Sequence, residues 1–323
     1  MRLAAAGIFP RAPLTAIPYS RKMAPVQMVV VDIDGTLLPS AGAQVSERNG
    51  RALRAAQAAG IRIVIATGRR QAYAAPLLEP IGLERETLVI SSNGTVTRTL
   101  GGKSIDRFLL PVETARALAP ALRRFGTTVF TFDREGGDRA GSGVLVVESV
   151  EALHARVRVW VEANRTWIRE IQPLERAFDG GEAPVQGMVC GSVAEMRHAE
   201  EWLNASELAP QIELHRTEYP VRDLTILDIL PPGCSKGAAL KRLADKQGLR
   251  PEEILAIGDN WNDLSMLEVA GRPVVMGSGA PDLVELAQQR GWEIAPGNDE
   301  DGVAEILEPL LAERASSDLA IQR

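Results

Sequence analysis

Short runs of apolar residues alternate with a helical pattern in the first third of the chain and predict buried strands of a parallel sheet. Each run has five or six residues and is followed by polar residues and glycine, which is typical of a buried strand. Between the first two runs, residues 46–59 predict a helix with Ser46 as its N-cap and Gly60 as its stop. The predicted strands are 29–33, 61–66 and 87–91.

The same alternation returns in the last third of the chain. Strands that alternate with helices indicate βαβ units and a parallel sheet. Because ligands bind at the carboxyl ends of the strands in open parallel sheets, we expect the polar segments behind these strands to form one site. The predicted strands are 254–257 and 273–276, and the predicted helices are 235–247, 263–270, 280–289 and 303–312.

The middle of the chain has a different pattern, in which strands and helices are mixed. Such a mixture indicates an α+β unit with an antiparallel sheet. A segment with four glycines, 134–143, predicts a flexible loop or a hairpin tip. The predicted helices are 112–125, 149–164 and 193–204, and the predicted strands are 127–133, 144–147, 185–190, 211–216 and 224–230.

These patterns predict an α/β protein in which a cap domain is inserted into a discontinuous core. The core comprises residues 25–95 and 223–315, and the α+β cap comprises 96–222. Residues 316–323 are expected to form a C-terminal tail. The first segment, 1–24, has four basic residues and no acidic one, but prolines interrupt its short apolar stretch. It therefore predicts a disordered or mis-assigned leader rather than a targeting signal.

Composition and charge narrow the class of protein. Hydrophobic residues make up 45% and charged residues 24% of the chain, as in ordinary globular proteins. The net charge of −6 argues against a nucleic-acid partner, and no apolar run reaches the roughly 18 residues of a membrane span. Cys190 and Cys234 lack metal-site spacing, so we expect free thiols in a reducing cytoplasm. The sequence contains no recognisable oligomerisation motif.

Two acids follow the first predicted strand. Asp32 and Asp34 lie two positions apart, and residues with this spacing face the same side of a strand. Both carboxylates can therefore point into one site, while Gly35 lets the chain turn. Buried acids need a compensating cation, and magnesium prefers oxygen ligands. The alternative is a solvated Asp-Gly turn.

A second acidic cluster follows the predicted strand 254–257. Asp259 and Asp263 lie four residues apart, so one helical turn can present both carboxylates to the same point. No basic residue lies beside them, and packing alone does not explain such a cluster behind a buried strand. This segment predicts a metal site.

Two further motifs predict contacts to a phosphate. Thr67 and Gly68 offer a hydroxyl and backbone N–H groups at a strand-to-helix turn, although a Thr N-cap is the alternative. Lys236 lies at the start of a predicted helix, where the macrodipole disfavours a cation unless it meets an anion. The alternative for Lys236 is a solvated surface lysine.

The segments DIDGT, ATG, SKG and GDNWND occur in this order along the chain. They resemble the four motifs of the haloacid dehalogenase (HAD) superfamily of phosphohydrolases, and the resemblance covers nearly all of residues 29–311. The long insertion between ATG and SKG, with SNG near its start, is similar to the Cof-type subfamily with its α/β cap. The resemblance implies a Rossmann-like parallel-sheet core with an inserted cap.

The resemblance also implies a magnesium-dependent phosphatase that acts on a small phosphorylated metabolite, such as a sugar phosphate. Asp32 would be the nucleophile that forms an aspartyl-phosphate, and Asp34 would be the general acid and base. The Asp32 side chain, the Asp34 backbone carbonyl and Asp259 would bind Mg²⁺. Asp263 would be a further ligand or a supporting acid. The phosphoryl oxygens would be held by Thr67, the Gly68 N–H, Asn262 and Lys236.

Two alternatives stay open. A phosphomutase-like phosphotransferase of the same superfamily would share these residues and return the phosphoryl group to a sugar. A phospho-acceptor signalling module also has an α/β fold with an acidic magnesium site. Such a module needs no large cap, and the second acid of DIDGT has no obvious purpose in it.

Overall fold

Two β-sheets and the helices around them form the protein in a computed structural model, which describes residues 24–42, 44–133 and 144–321. In chain order, the strands are β1 (Met28–Val31), β2 (Arg62–Ala66), β3 (Leu88–Ser91), β4 (Val96–Thr99), β5 (Ser104–Arg107), β6 (Val129–Phe132), β7 (Val144–Val147), β8 (Ile168–Glu170), β9 (Gln186–Gly191), β10 (Glu213–Tyr219), β11 (Leu224–Leu230), β12 (Ile254–Gly258), β13 (Arg272–Met276) and β14 (Glu293–Ala295). The α-helices are α1 (Glu47–Ala58), α2 (Gln71–Leu78), α3 (Val112–Leu122), α4 (Arg158–Asn164), α5 (Val193–Asn204), α6 (Lys236–Gln247), α7 (Leu264–Val269), α8 (Pro281–Arg290) and α9 (Gly302–Ile321).

The larger sheet has the strand order β14-β13-β12-β1-β2-β3-β4-β5. Its pairs from β14 to β3 are parallel, and β3, β4 and β5 pair antiparallel at one edge. Strand β1 lies between β12 and β2 near the centre of the sheet. The residues that directly follow β1, β2 and β12 in the chain therefore lie together at the carboxyl ends of these parallel strands.

Both faces of this sheet are covered by helices. Val29 and Val31 of β1 pack into an apolar cluster with α1 and α9, whereas Met28 and Val30 pack into a second cluster with α6, α7 and α8. A strand that is buried on both faces has an almost continuous apolar sequence, as β1 does. This packing holds the carboxyl end of β1 firmly in place.

The smaller sheet has the strand order β10-β11-β9-β6-β7-β8. All its pairs are antiparallel except β7–β8. One face packs against α3 and α5 through residues such as Phe130 and Leu227. The opposite face, with Val129 and Met188, packs partly against the segment that leads into α4. This second sheet with its helices is the cap, and the fold prediction of a parallel-sheet core with an inserted α+β cap is confirmed.

Sheet membership corrects both predicted junctions between core and cap. Strands β4 and β5 fall inside the predicted cap range 96–222 but belong to the core sheet. Strand β11 falls inside the predicted core range 223–315 but belongs to the cap sheet. We therefore propose that the cap extends from about residue 108 to residue 230. Helix α9 also continues to Ile321, through most of the segment predicted as a tail.

The predicted helix 149–164 is shorter than expected. Only Arg158–Asn164 is α-helical, and turns and a 3₁₀ segment precede it. Leu153, Val157 and Val161 are all buried in one cluster, and their spacing of four imitates a continuous helix in the sequence. The predicted leader 1–24 and the predicted glycine-rich loop 134–143 lie outside the described residues, apart from residue 24.

Two further predictions concern the state of the cysteines and the presence of membrane-spanning segments. Cys190 and Cys234 are both buried and form no disulfide, as predicted. Among the helices in the described part of the chain, none combines the length and the apolar character that crossing a membrane requires.

Candidate active site

The site lies at the carboxyl ends of the parallel strands of the core sheet. Asp32 directly follows β1, Thr67 follows β2, and Asp259 follows β12, so three neighbouring parallel strands deliver these residues to the same edge. Lys236 opens helix α6 behind its N-cap Ser235, whose side chain accepts a hydrogen bond from the Ala238 N–H. The structure therefore brings the four sequence motifs together.

Three buried carboxylates form the centre of the site. Asp32, Asp259 and Asp263 offer ligand oxygens that all lie within 4.8 Å of one another. Lys236 is fully buried, and its Nζ lies 2.6 Å from Oδ1 of Asp32 and 2.6 Å from Oδ1 of Asp263. The alternative of a solvated surface lysine is wrong, because Lys236 is buried. Asp32 is buried as well, so Asp34 is the acid of the first motif that keeps exposed surface.

Burial and repulsion between neighbouring carboxylates raise the pKa of two acids in this cluster. Burial raises the pKa of Asp32 to about 7, the Asp263 carboxylate adds to this rise, and the Lys236 ammonium opposes it. Burial and the carboxylate of Asp32 raise the pKa of Asp259 well above its usual range. Burial alone would lower the pKa of Lys236, but contact with Asp263 and Asp32 raises it. A bound cation would compensate the excess of carboxylates.

Asp263 has both carboxylate oxygens engaged. Oδ2 accepts the backbone N–H groups of Asp259 at 3.0 Å and Asn260 at 3.1 Å, while Oδ1 accepts from Lys236. Asp263 thus fixes the loop after β12 and orients the lysine. The Asp263 carboxylate lies at the centre of the cluster, and this position is compatible with both predicted roles, a direct metal ligand or a supporting acid.

Asp34 points away from this cluster toward a neighbouring arginine. Its carboxylate accepts two hydrogen bonds from the guanidinium of Arg69, one of them from Nε at 2.7 Å. The Asp34 side chain keeps 38% of its surface exposed, and it borders the cavity described below. It is therefore fixed in direction but open to a ligand.

Gly35 makes room for the Asp259 carboxylate. Its φ of +82° lies in the left-handed region, where residues with a Cβ are strained. A Cβ at this position would lie 2.7 Å from the carboxyl carbon of Asp259 and would overlap its oxygens. Thr36 next to it donates from Oγ1 to Oδ1 of Asp259 at 3.0 Å. The turn of the first motif therefore positions an acid of the last motif.

We expect Gly35→Ala to reduce kcat/KM on the order of 10²-fold, because a displaced Asp259 disturbs the whole cluster. Gly102→Ala is the matched control, since Gly102 has a φ of +91° but nothing within 4 Å of its added Cβ. Both variants carry the strain of a left-handed backbone, about 1–2 kcal/mol. Steady-state kinetics and thermal unfolding of both proteins would test this, and equal activity of the two variants would contradict the positioning role of Gly35.

The loops after β2 and β3 meet beside the acids. Thr67 is buried and accepts the Arg69 N–H at Oγ1 at 3.1 Å, but it is not the N-cap of α2, because Arg70 occupies that position. A Cβ on Gly68 would lie 3.2 Å from the side chain of Asn93. Asn93 in turn accepts from Nδ2 of Asn262 at 3.1 Å. The predicted phosphate-binding residues Thr67, Gly68 and Asn262 thus belong to one contiguous polar surface.

A cavity of about 320 Å³ adjoins this polar surface. Asp32, Asp34 and Asn262 border it from the core, and residues such as Thr131 and Met188 of the cap sheet border it from the other side. A small molecule in this cavity would contact both the acids of the core and the open face of the cap. The arrangement suits the reaction of a small anionic ligand at Asp32.

Sequence reasoning missed several residues of the site. Arg69 directly follows the segment ATG and Asn93 lies inside SNG, yet the sequence motifs predict no role for either residue. Asp228 of β11 was also missed, although a lone acid within the apolar run LTILDIL is unusual. Asp228 borders the cavity and accepts from Nδ2 of Asn93 at 2.8 Å, and burial raises its pKa to about 7. It links the cap to the core.

The fold and the site define an α/β protein with a cluster of buried carboxylates beneath a cap domain. A family model described as haloacid dehalogenase-like hydrolase matches residues 29–307. The chain belongs to this family. The predictions of the HAD superfamily, its Cof-type subfamily and a hydrolase are therefore confirmed.

Individual relatives agree with this assignment. The chain is 30% identical over 300 residues to a 5-amino-6-(5-phospho-D-ribitylamino)uracil phosphatase of Bacillus subtilis, which covers 89% of this chain and 99% of the relative. It is 26% identical over 258 residues to an HMP-PP phosphatase of an Enterobacter species, covering 80% and 86% of the two chains. The crystal structure of a haloacid dehalogenase-like hydrolase from Bacteroides thetaiotaomicron is similar with a TM-score of 0.69 and 28% identity, over 88% of this chain and 99% of that chain.

Proposed function

We propose that the protein is a magnesium-dependent phosphatase that hydrolyses a small phosphorylated metabolite through an aspartyl-phosphate on Asp32. The observation that carries this proposal is the position of Asp32, which directly follows the central strand β1, contacts Lys236 at 2.6 Å and borders the cavity. The relatives named as phosphatases support the same reaction class. A sugar phosphate or a phosphorylated heterocyclic metabolite is the expected substrate.

In the first half of the reaction, an Asp32 carboxylate oxygen attacks phosphorus and forms a P–O bond. The bond between phosphorus and the ester oxygen of the leaving alcohol breaks. Asp34, which enters this step in its protonated form, donates its proton to that oxygen, so the alcohol leaves in its neutral form and Asp34 becomes a carboxylate. Arg69 holds the Asp34 carboxylate at the cavity and thereby limits the directions in which this proton can be delivered.

In the second half, water attacks the phosphorus of the aspartyl-phosphate. Asp34, now ionised, accepts a proton from this water. The bond between the Asp32 oxygen and phosphorus breaks, which releases inorganic phosphate and restores the Asp32 carboxylate. One residue thus acts as the acid in the first step and as the base in the second.

Residues around Asp32 would hold the transferred phosphoryl group. We propose that its oxygens accept from the Thr67 hydroxyl, the Gly68 N–H, the Asn262 amide and the Lys236 ammonium. Phosphoryl transfer depends mainly on positioning and on charge stabilisation, and this set of donors supplies both. Lys236 already contacts Asp32, so its charge lies next to the reacting oxygen.

The residues present fit a magnesium ion. The three clustered acids supply only oxygen ligands and carry more negative charge than Lys236 balances, which suits a hard divalent cation. We propose that the Asp32 side chain, the Asp34 backbone carbonyl and Asp259 hold the ion, with Asp263 beside them. When bound, magnesium would offset the repulsion between the Asp32 carboxylate and a phosphate dianion.

We expect chelation by EDTA to abolish phosphate release and added magnesium to restore it. Calcium should restore little activity, because its larger and less regular ligand shell suits the site poorly. Phosphate release after dialysis against EDTA, and after addition of each metal, measures this. Full activity of the exhaustively chelated protein would contradict a metal-dependent mechanism.

Product analysis separates the proposed phosphatase from the alternatives. A panel of phosphorylated metabolites, assayed with magnesium, should yield free inorganic phosphate. An isomerised phosphosugar would instead indicate a phosphomutase, and a single stable phosphorylation without turnover would indicate a signalling module. A cytoplasmic location and the absence of a nucleic-acid partner remain predictions.

A further inference from the structure

Arg70 is a buried arginine in the wall of the cavity. It follows Arg69 in the loop after β2, retains only 8% of its surface exposed, and borders the same cavity as Asp32. Its contacts lie in the cap: Nη2 donates to Oδ1 of Asn164 at 3.1 Å, and the guanidinium lies 4.8 Å from the ring centre of Trp167. Arg70 therefore extends from the core toward the cap side of the cavity.

The charge of Arg70 has no carboxylate partner among the described residues. Its Nε and Nη1 are buried without any hydrogen-bond partner in that part of the chain. Burial lowers its pKa to about 10, and the Tyr73 phenol opposes this shift in part. A buried charge without a partner is costly, so such groups usually face a ligand or an ion.

Other buried or half-buried arginines of this protein are compensated differently. Arg98, with 3% of its surface exposed, donates to both carboxylate oxygens of Asp133 at 3.0 and 2.6 Å. Arg69, the direct neighbour of Arg70, pairs with Asp34. The missing carboxylate at Arg70 is therefore a local property of the cavity wall rather than a general feature of the fold.

We propose that Arg70 binds a second anionic group of the substrate, a carboxylate or a further phosphate, on the cap side of the cavity. This proposal rests on the proposed phosphatase function, in which the scissile phosphate lies at Asp32. Arginine binds carboxylate and phosphate through charged N–H donors, and Nε and Nη1 of Arg70 each keep an N–H without a partner among the described residues. Asn164 orients the guanidinium and acts as a positioning residue. The substrate class is thus a phosphate monoester with an additional negative charge.

Matched substrate pairs test this proposal. Sorbitol 6-phosphate and 6-phosphogluconate differ by a carboxylate on the same open chain, and glucose 6-phosphate and glucose 1,6-bisphosphate differ by a phosphate, so the two pairs distinguish the two anions. The wild-type enzyme should show a kcat/KM at least about tenfold higher for the more anionic member of one pair, which corresponds to about 1.4 kcal/mol. The absence of a preference in both pairs would overturn the proposal.

The variant Arg70→Met should reduce that preference to less than about threefold, because the kcat/KM for the more anionic member falls much more than the kcat/KM for its partner. Arg70→Lys, which keeps the charge, should retain part of the preference. If Arg70 merely fastens the cap to the core, Arg70→Met would reduce both members of a pair equally, and this result would overturn the proposal.

Two controls complete the experiment. Arg124 lies 5.0 Å above the ring of Trp202 and is absent from the cavity lining, so Arg124→Met removes a similar cation–aromatic contact and should leave the preference intact. Hydrolysis of p-nitrophenyl phosphate with magnesium reports the proposed phosphatase function independently. No hydrolysis of any ester would overturn both proposals, whereas hydrolysis with an unchanged preference in Arg70→Met would overturn the anion site alone.

Discussion

Asp32→Asn is expected to reduce kcat by about 10³-fold or more while leaving the fold intact, because the amide cannot replace the attacking carboxylate. Asparagine has nearly the same shape, so the packing at the end of β1 should persist. Lys236 and Asp263 would remain in place, and binding of the substrate should change much less than its turnover. Phosphate release under saturating substrate and magnesium measures this effect.

A surface variant and a trapping experiment sharpen the test of Asp32. Asp245→Asn removes a carboxylate that pairs with Lys241 on the exposed side of α6, and it should leave kcat unchanged. Mass spectrometry of protein quenched during turnover should detect phosphorylation at Asp32 in the wild type only. More than about a tenth of wild-type activity in Asp32→Asn, equivalent to only ~1.4 kcal/mol of barrier, would exclude Asp32 as the nucleophile.

The parallel core was predictable because its signals are local. Strand β1 is a short apolar run that is buried on both faces, and such runs are recognisable without knowledge of their neighbours. Helix α1 begins where its N-cap predicts, since the Ser46 side chain accepts the Asn49 N–H at 3.1 Å. The four motifs of the site were predictable for the same reason, because each stands directly behind a strand or at the start of a helix.

The edge of the core sheet was not predictable, because polar residues are buried there. Strand β4 contains Thr97, Arg98 and Thr99, all of which are buried, so it lacks the apolar pattern of a strand. Its arginine is neutralised by Asp133, which lies 35 positions away in the chain. Only the folded structure reveals this compensation, and the boundary between core and cap was consequently placed too early.

The cap side of the site depends on contacts between distant segments. Asp228 and Asn93 are separated by 135 positions, and nothing in either segment indicates that they form a hydrogen bond. Arg70 likewise contacts Asn164, 94 positions away. Such contacts line the cap side of the cavity, so sequence motifs predict the proposed reaction at Asp32 better than they predict the molecule that reacts.

The charged residues of the site affect both the proposed reaction and the stability of the folded protein. Asp32, Asp259 and Asp263 are collected in a buried space that holds one ammonium, that of Lys236. Electrostatic strain of this kind is common in active sites, because groups arranged for a charged ligand are poorly balanced without it. Lys236 compensates the carboxylates through these contacts, and we propose that it also offers a donor to the phosphoryl group.

Lys236→Met is expected to lower both activity and stability. The methionine fills much of the same space but leaves Asp32 and Asp263 buried without their partner, and removing one member of a buried ion pair costs about 3–5 kcal/mol. The loss of the donor next to the reacting oxygen should reduce kcat by about 10²-fold or more. Urea unfolding in metal-free buffer measures the stability, because a bound cation would compensate part of the missing charge.

Lys246→Met provides the matched control on the same helix. Lys246 pairs with Asp106 at 3.0 Å, but its side chain is 55% exposed, so water screens the pair and its removal should change the free energy of unfolding by less than about 1 kcal/mol. Equal stability of the two variants in metal-free buffer would show that the carboxylates do not depend on Lys236. Wild-type kcat in Lys236→Met would exclude the lysine from binding the phosphoryl group. Reduced stability with full activity would leave Lys236 as a purely compensating charge, and the donors to the phosphoryl group would then be Thr67, Gly68 and Asn262.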